Sequence, residues 1–195
     1  MDKKAIQQKR KMGYFIDAAK QVVREEGVGN LTVKKVADLA GYAPGTLYNY
    51  FKDLRTLLAY CIADFLEECK EVVIEAGQGY QPSKEKVIRL AQAYCNYFIE
   101  NPNIYQLVFL EDLGAPPEEA RVKGIVPEVV QLLVGSLQEC ADEGILEQTE
   151  VKVIESLLGN SIHGILIFML KQRKEITREE VMSVIEDQVH FLFKN

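Results

Sequence analysis

The chain has 195 residues, 48% of them hydrophobic and 27% charged, with 23 Lys+Arg against 29 Asp+Glu and a formal net charge of −6. That composition excludes a disordered tail or a fibre and fits a globular protein of one domain, or of a small domain docked on a larger one. The negative total conceals a division. Residues 1–55 carry 11 Lys+Arg and 6 Asp+Glu, a balance of +5, whereas residues 56–195 carry 12 and 23, a balance of −11. A basic head on an acidic body points to nucleic acid or a membrane surface as partner of the head.

In chain order, Met12, Phe15, Ile16, Ala19, Val22 and Val23 recur at helical spacing. This predicts a helix from about Lys4 to Glu26, ended by Gly27 as a C′ residue. Thr32 is placed to cap a short helix, Val33 to Ala40, which Gly41 breaks. A second short helix is expected from Pro44 to Tyr50, with proline at its favoured first position. Asp53 caps a long helix to about Ala76, and Ser83 caps the next, to Glu100. Asn101-Pro102 begins a helix to Leu113, and a helix from about Pro117 to Glu143 follows, with Gly124 and Pro127 as points of division. Thr149 begins a helix to about Lys171. Thr177-Arg178-Glu179-Glu180 is a capping box opening a final helix to about Phe193. The fold class is therefore all-α, with about nine helices and no repeats.

The ends and the cysteines exclude other classes. The basic N-terminus lacks an apolar h-region, and the most apolar run, Ile162–Leu170, is nine residues, too short for a membrane span. Both predict a cytoplasmic protein with no membrane partner. Cys61, Cys69, Cys95 and Cys140 show no CxxC spacing and sit in apolar helical patterns, the pattern of reduced core thiols. Cys61 and Cys69 share a helix face, but no basic cluster surrounds them to activate a redox pair. His163 and His190 stand apart without Cys or carboxylate at ligand spacing, so no metal or other cofactor is indicated. There is no phosphate loop, nucleophile elbow or HExxH, and no enzyme is predicted.

Two short helices joined at a tight turn, after a longer first helix, make a helix-turn-helix plan. Val36, Ala37 and Ala40 face inward with Leu47 and Phe51. Thr46, Tyr48, Asn49 and Tyr50 are left outside, followed by Lys52; these groups hydrogen-bond phosphates or base edges, or stack on sugar and thymine methyl. Lys3, Lys4, Lys9, Arg10 and Lys11 form either a solvated charge run or a basic arm for phosphates or a minor groove.

Over about 50 residues these positions resemble the DNA-binding domain of the TetR family of transcriptional regulators: Gly27, Thr32, Val36-Ala37, Ala40-Gly41 and Gly45-Thr46-Leu47-Tyr48-Asn49-Tyr50-Phe51. The resemblance implies a helix-turn-helix domain at residues 1–52 and a ligand-binding and dimerisation domain at residues 53–195. It implies DNA contacts at Thr32, Lys34, Pro44, Thr46, Tyr48, Asn49, Tyr50 and Lys52. Two positions depart from the pattern: Ala43 replaces a frequent capping Ser, and Leu54 replaces a Lys that commonly meets phosphate, with Arg55 beside it.

The helix from 150 to 171 is apolar around nearly its whole circumference, and such a helix must be buried on all sides. Together with the stripe on the last helix this predicts a C2 homodimer joined through a four-helix interface, with Leu158, Ile162, Ile165, Val181, Ile185 and Val189 at the contact. The aromatic residues of the body suit a small-molecule pocket. Tyr60, Phe65, Tyr94, Phe98, Tyr105, Phe109 and His163 are the candidates, with an acyl chain and a lipophilic cation as effectors that fit equally well. The expected function is a DNA-binding regulator, a repressor released from a palindromic double-stranded operator by a small-molecule effector. The alternative is a helical adaptor that binds only protein.

Overall fold

A computed structural model describes residues 3–114 and 122–194, with backbone alone at 4 and 122–127. Among the described residues there is no strand, and nine helices follow one another, with a further 3-10 turn at Val28–Asn30 between the first two. They are α1 (Lys3–Glu26), α2 (Val33–Ala40), α3 (Pro44–Asn49), α4 (Leu54–Gly77), α5 (Lys84–Glu100), α6 (Pro102–Tyr105 continued by Gln106–Leu110), α7 (Val122–Asp142), α8 (Val151–Leu170) and α9 (Arg178–Leu192).

The helix ends follow the local chemistry. Thr32 Oγ1 accepts a hydrogen bond from the Lys35 N–H at 3.2 Å. Asp53 Oδ1 accepts from the Thr56 N–H at 2.7 Å and from its hydroxyl at 2.8 Å, and these donors hold the carboxyl below the usual aspartate range. Ser83 Oγ accepts from the Lys86 N–H at 3.2 Å. At α9 both halves of the capping box form: Thr177 Oγ1 accepts from the Glu180 N–H, and the Glu180 carboxylate accepts from the Thr177 N–H. Gly27 and Gly41 adopt φ of +84° and +77°, the left-handed turns that let α1 and α2 stop where the next segment must fold back.

Three elements differ from their expected form. α3 is a 3-10 helix and ends at Asn49, because Ala43 supplies no side-chain cap and the turn closes by i→i+3 bonds, Thr46 N–H to Ala43 O and Tyr50 N–H to Leu47 O. α6 stops at Leu110, not Leu113; its last turn is a π-helix closed by the Glu111 N–H on Gln106 O. α8 begins at Val151 behind Glu150, two residues after Thr149. The helix α7 continues through 124 and 127 without a break, and its expected start near Pro117 lies outside the described residues.

The chain packs as two compact units, residues 1–66 with 101–125, and residues 67–100 with 126–195. This division differs from the functional split expected at 52/53, because the first half of α4 and all of α6 pack with the helix-turn-helix. Phe65 lies under Lys20 and Arg24 of α1, 5.4 and 5.2 Å from its ring centroid. Asn103 Nδ2 donates to Arg24 O. The core of the first unit is Phe15, Ala19, Val23, Val36, Ala37, Leu47, Phe51, Leu57 and Ile104, each fully buried. In the second unit Val87, Phe98, Leu137, Leu158, Leu166, Val181, Ile185 and Val189 are buried among α5, α7, α8 and α9.

α8 corrects the estimate made from the nine-residue run. At 20 residues it is long and apolar enough to cross a membrane by length and composition. In the folded chain it buries one stripe, Val151, Ile154, Leu158, Ile162 and Leu166, while only 22% of its most apolar stretch is covered by the protein.

Candidate nucleic-acid interface and ligand cavity

The helix-turn-helix is fixed from beneath. Leu47 is the one apolar side chain α3 sends into the core, where it is fully buried. With Leu47 held, the helix turns its neighbours outward: Tyr48 is 58% exposed, and Pro44 and Asn49 are exposed. Thr46 is half-buried. Tyr50 is also half-buried, its ring 5.8 Å from Phe15, so it both supports the core and borders the outer face. Lys52 and Lys34 are exposed, whereas neighbouring Lys35 is held by Glu26 at 2.7 Å. Thr32 is exposed, but its hydroxyl oxygen already caps α2. The eight positions assigned to DNA contact are thus brought together on one unit.

A cluster not anticipated from spacing adjoins them. Tyr42 packs against Phe15 and Tyr14, at 5.3 and 6.4 Å between ring centroids, with the Lys11 ammonium 6.0 Å from the Tyr42 centroid. The basic segment holding Lys3, Lys9, Arg10 and Lys11 is part of α1 and helical from Lys3. No pattern in the sequence could pair residue 11 with residue 42, because the pairing depends on the fold-back at Gly41.

The second unit encloses a cavity of about 70 Å³ walled by α4, α5, α7 and α8. Val73, Leu90, Ala91, Val129, Leu133, Val134 and Ile162 supply aliphatic walls, and Tyr94, Glu155 and His163 the polar groups. Tyr94 Oη lies 3.3 Å from His163 Nε2. Burial lowers the His163 pKa from its ordinary value, so the imidazole is neutral at pH 7. Glu155 makes no hydrogen bond or ion pair among the described residues.

Of the seven ligand candidates, only Tyr94 and His163 line this cavity. Phe98 stands behind Tyr94, 5.0 Å away edge-on, as buried core. Tyr60 packs on Phe51, Phe65 lies under Lys20 and Arg24, and Tyr105 packs on Phe109, all within the first unit. Most of the aromatic candidates lie there, whereas the cavity is walled mostly by valine and leucine. Those are indistinguishable from ordinary core until the helices are packed.

The interface candidates need a similar correction. Leu158, Ile162, Val181, Ile185 and Val189 are buried within the chain itself, and Ile165 is half-buried. A side chain already enclosed offers a partner nothing to cover. The apolar surface of these two helices is made by their neighbours: Val153, Leu157, Phe168 and Phe191 are 56%, 53%, 56% and 73% exposed. A groove between α8 and α9 runs alongside, lined by Leu157, Ser161, Val184, Gln188, Phe191 and Leu192.

The four cysteines are buried. Desolvation pushes the thiols of Cys69 and Cys95 up to about 12 and raises Cys61 and Cys140 as well. Among the described residues no group of three or more His, Cys, Asp or Glu side chains is placed to hold a metal ion.

Comparison with known proteins agrees with this geometry. Residues 15–61 match the model for bacterial regulatory proteins of the tetR family. Residues 87–191 match the tetracyclin repressor-like C-terminal domain. The fatty acid metabolism regulator protein of Bacillus subtilis is 28% identical over 164 residues, covering 80% of this chain and 82% of the relative. The fold is shared with the transcriptional regulator FadR of Bacillus subtilis, solved in complex with stearoyl-CoA, at a TM-score of 0.72 and 22% identity over 93% of this chain and 97% of that one. It is shared also with the regulator PfmR of Thermus thermophilus, at a TM-score of 0.67 and 19% identity over 90% and 96%. The two matched regions span more than half of the chain, which belongs to the TetR family and is a DNA-binding transcriptional regulator.

Proposed function

We propose that the protein acts in the cytoplasm as a homodimeric repressor, released from a palindromic operator by a small apolar effector bound in the α4/α5/α7/α8 cavity. The observation that carries this reading is α3 itself, a short helix pinned by Leu47 that turns Tyr48, Asn49 and Thr46 outward beside Lys52. An adaptor that binds only protein has no use for that arrangement or for a +5 head. Two such helices, one per protomer, would enter successive major grooves, with Thr32, Lys34, Pro44 and Tyr50 contacting backbone or bases.

The cavity supports the effector half of the reading. Drug-sized ligands need roughly 300–1,000 Å³, several times the space present. An effector must therefore favour a state in which α7 and α8 stand further apart, a population shift that is reciprocal between ligand and DNA. The relative solved with stearoyl-CoA makes long acyl thioesters one class to test.

The test is a gel shift of the purified protein against DNA flanking its own gene, across a salt series and with candidate effectors. Expected are a specific complex, a steep fall in affinity with salt, and release by at least one apolar effector. A protein that shifts no DNA at low salt would return the adaptor reading.

A further inference from the structure

The cavity wall carries a chemical preference of its own. On α8, Glu155, Gly159, Ile162 and His163 follow one another at helical spacing and all face the cavity. Among the described lining residues there is no Lys or Arg. Glu155 is half-buried, lines the cavity together with Val129, Val130 and Leu133, and meets no cation or donor among the described residues. Such a carboxylate disfavours a second negative charge beside it and favours a positive one. Tyr94 adds an aromatic ring to the wall, a group that attracts cations.

Gly159 shapes the same wall. Glycine in the middle of a helix is destabilising relative to alanine, so its presence invites a steric reason. None is found among the described residues: a Cβ built at Gly159 meets nothing within 4 Å. The space left open is the cavity's own, between the carboxylate and the imidazole.

On these grounds we propose that the cavity takes a lipophilic cation, an ammonium head on Glu155 with its apolar body lying over the notch at Gly159 toward Tyr94 and His163. This rests on the cavity being the effector site. It selects within that site against free carboxylates and against acyl thioesters carrying phosphates.

Decylamine, decanol, decanoate and decanoyl-CoA share a ten-carbon chain and differ at the head. Each is titrated calorimetrically, below its micelle concentration, into the full-length protein, E155Q and G159L. Glu155 has no partner to lose, and the Gly159 position has room for a side chain, so both variants are expected to fold; a melting curve checks this. The proposal expects protonated decylamine to bind on the order of tenfold or more tighter than decanol and decanoate. E155Q should remove that preference while leaving decanol unchanged, and G159L should abolish binding of all four. Tighter binding of decanoate or decanoyl-CoA, still blocked by G159L, overturns the cation preference and leaves the effector site standing. Binding that G159L does not affect, or no binding at all, overturns both.

Discussion

Tyr94 of α5 and His163 of α8 meet at the cavity, hydroxyl to Nε2 at 3.3 Å, and are the two of the seven anticipated ligand residues that line it. Burial at this place makes His163 a pH-sensitive element of stability. Burial lowers its pKa in the folded chain, whereas in the unfolded chain it titrates near about 6.5. Above that value neither state carries the proton and the group contributes no pH dependence. As pH falls below it the unfolded state takes up the proton first, so stability is lost progressively down to the folded pKa. Melting temperatures at pH 7.5 and 5.5 should therefore fall further for the native protein than for His163→Gln. Equal losses in the two proteins would show that other groups carry the acid sensitivity.

Tyr48 and Tyr50 sit two residues apart on α3 and should separate when mutated. Tyr48 is largely exposed and touches no core ring, so Tyr48→Ala should change folding stability by no more than about 0.5 kcal/mol. If it contacts the operator, binding should weaken by about 1–3 kcal/mol per half-site. Tyr50 stacks near Phe15, so Tyr50→Ala should lower stability as well as affinity. Paired measurements of urea midpoint and operator affinity check both. Unchanged affinity in a folded Tyr48→Ala protein would remove α3 as the reading element.

The two sites were legible to different degrees, for a physical reason. Helix ends depend on residues within one turn of each other, so Thr32, Asp53, Ser83 and the Thr177–Glu180 box could be placed from the chain alone. The outer face of α3 was legible because Leu47 and Phe51 mark the inner one. The cavity was not. Its walls come from four helices up to some 90 residues apart in sequence, and valines such as Val129 carry no sign of which partner they will meet. The exposed apolar side of α8 was hidden for a related reason. A helix that is apolar all round does not announce which side its own chain will cover, and the fold assigned Leu158 and Ile162 inward and Leu157 and Phe168 outward.

The cysteines should behave as packing residues. All four thiols are buried, and their pKa values are raised by desolvation, so thiolate is scarce at pH 8. Labelling of the native protein with a chromogenic disulfide reagent should modify fewer than one thiol per chain on the time scale of minutes. In guanidinium all four should react. Rapid native labelling at Cys61 and Cys69 together, ending in a disulfide, would instead favour a redox role on α4.

The exposed apolar positions on α8 and α9 give the homodimer its test. Phe191 and Phe168 lie mostly outside the chain's own core, whereas Ile185 on the same pair of helices is fully enclosed. Replacing an exposed phenylalanine by glutamate sacrifices little within one protomer but sets a charge against any partner that covers it. Phe168→Glu and Phe191→Glu should therefore yield folded monomers by light scattering at micromolar concentration, with normal helical circular dichroism. They should also bind a two-half-site operator far more weakly, because each head then contacts DNA independently. Ile185→Ala should do the opposite. It leaves a cavity that costs about 2–5 kcal/mol in folding stability, while the chains that remain folded still dimerise. A native protein that is monomeric under the same conditions would remove the dimer and the palindromic operator together, whereas dimers that persist in both glutamate variants would move the interface off this surface.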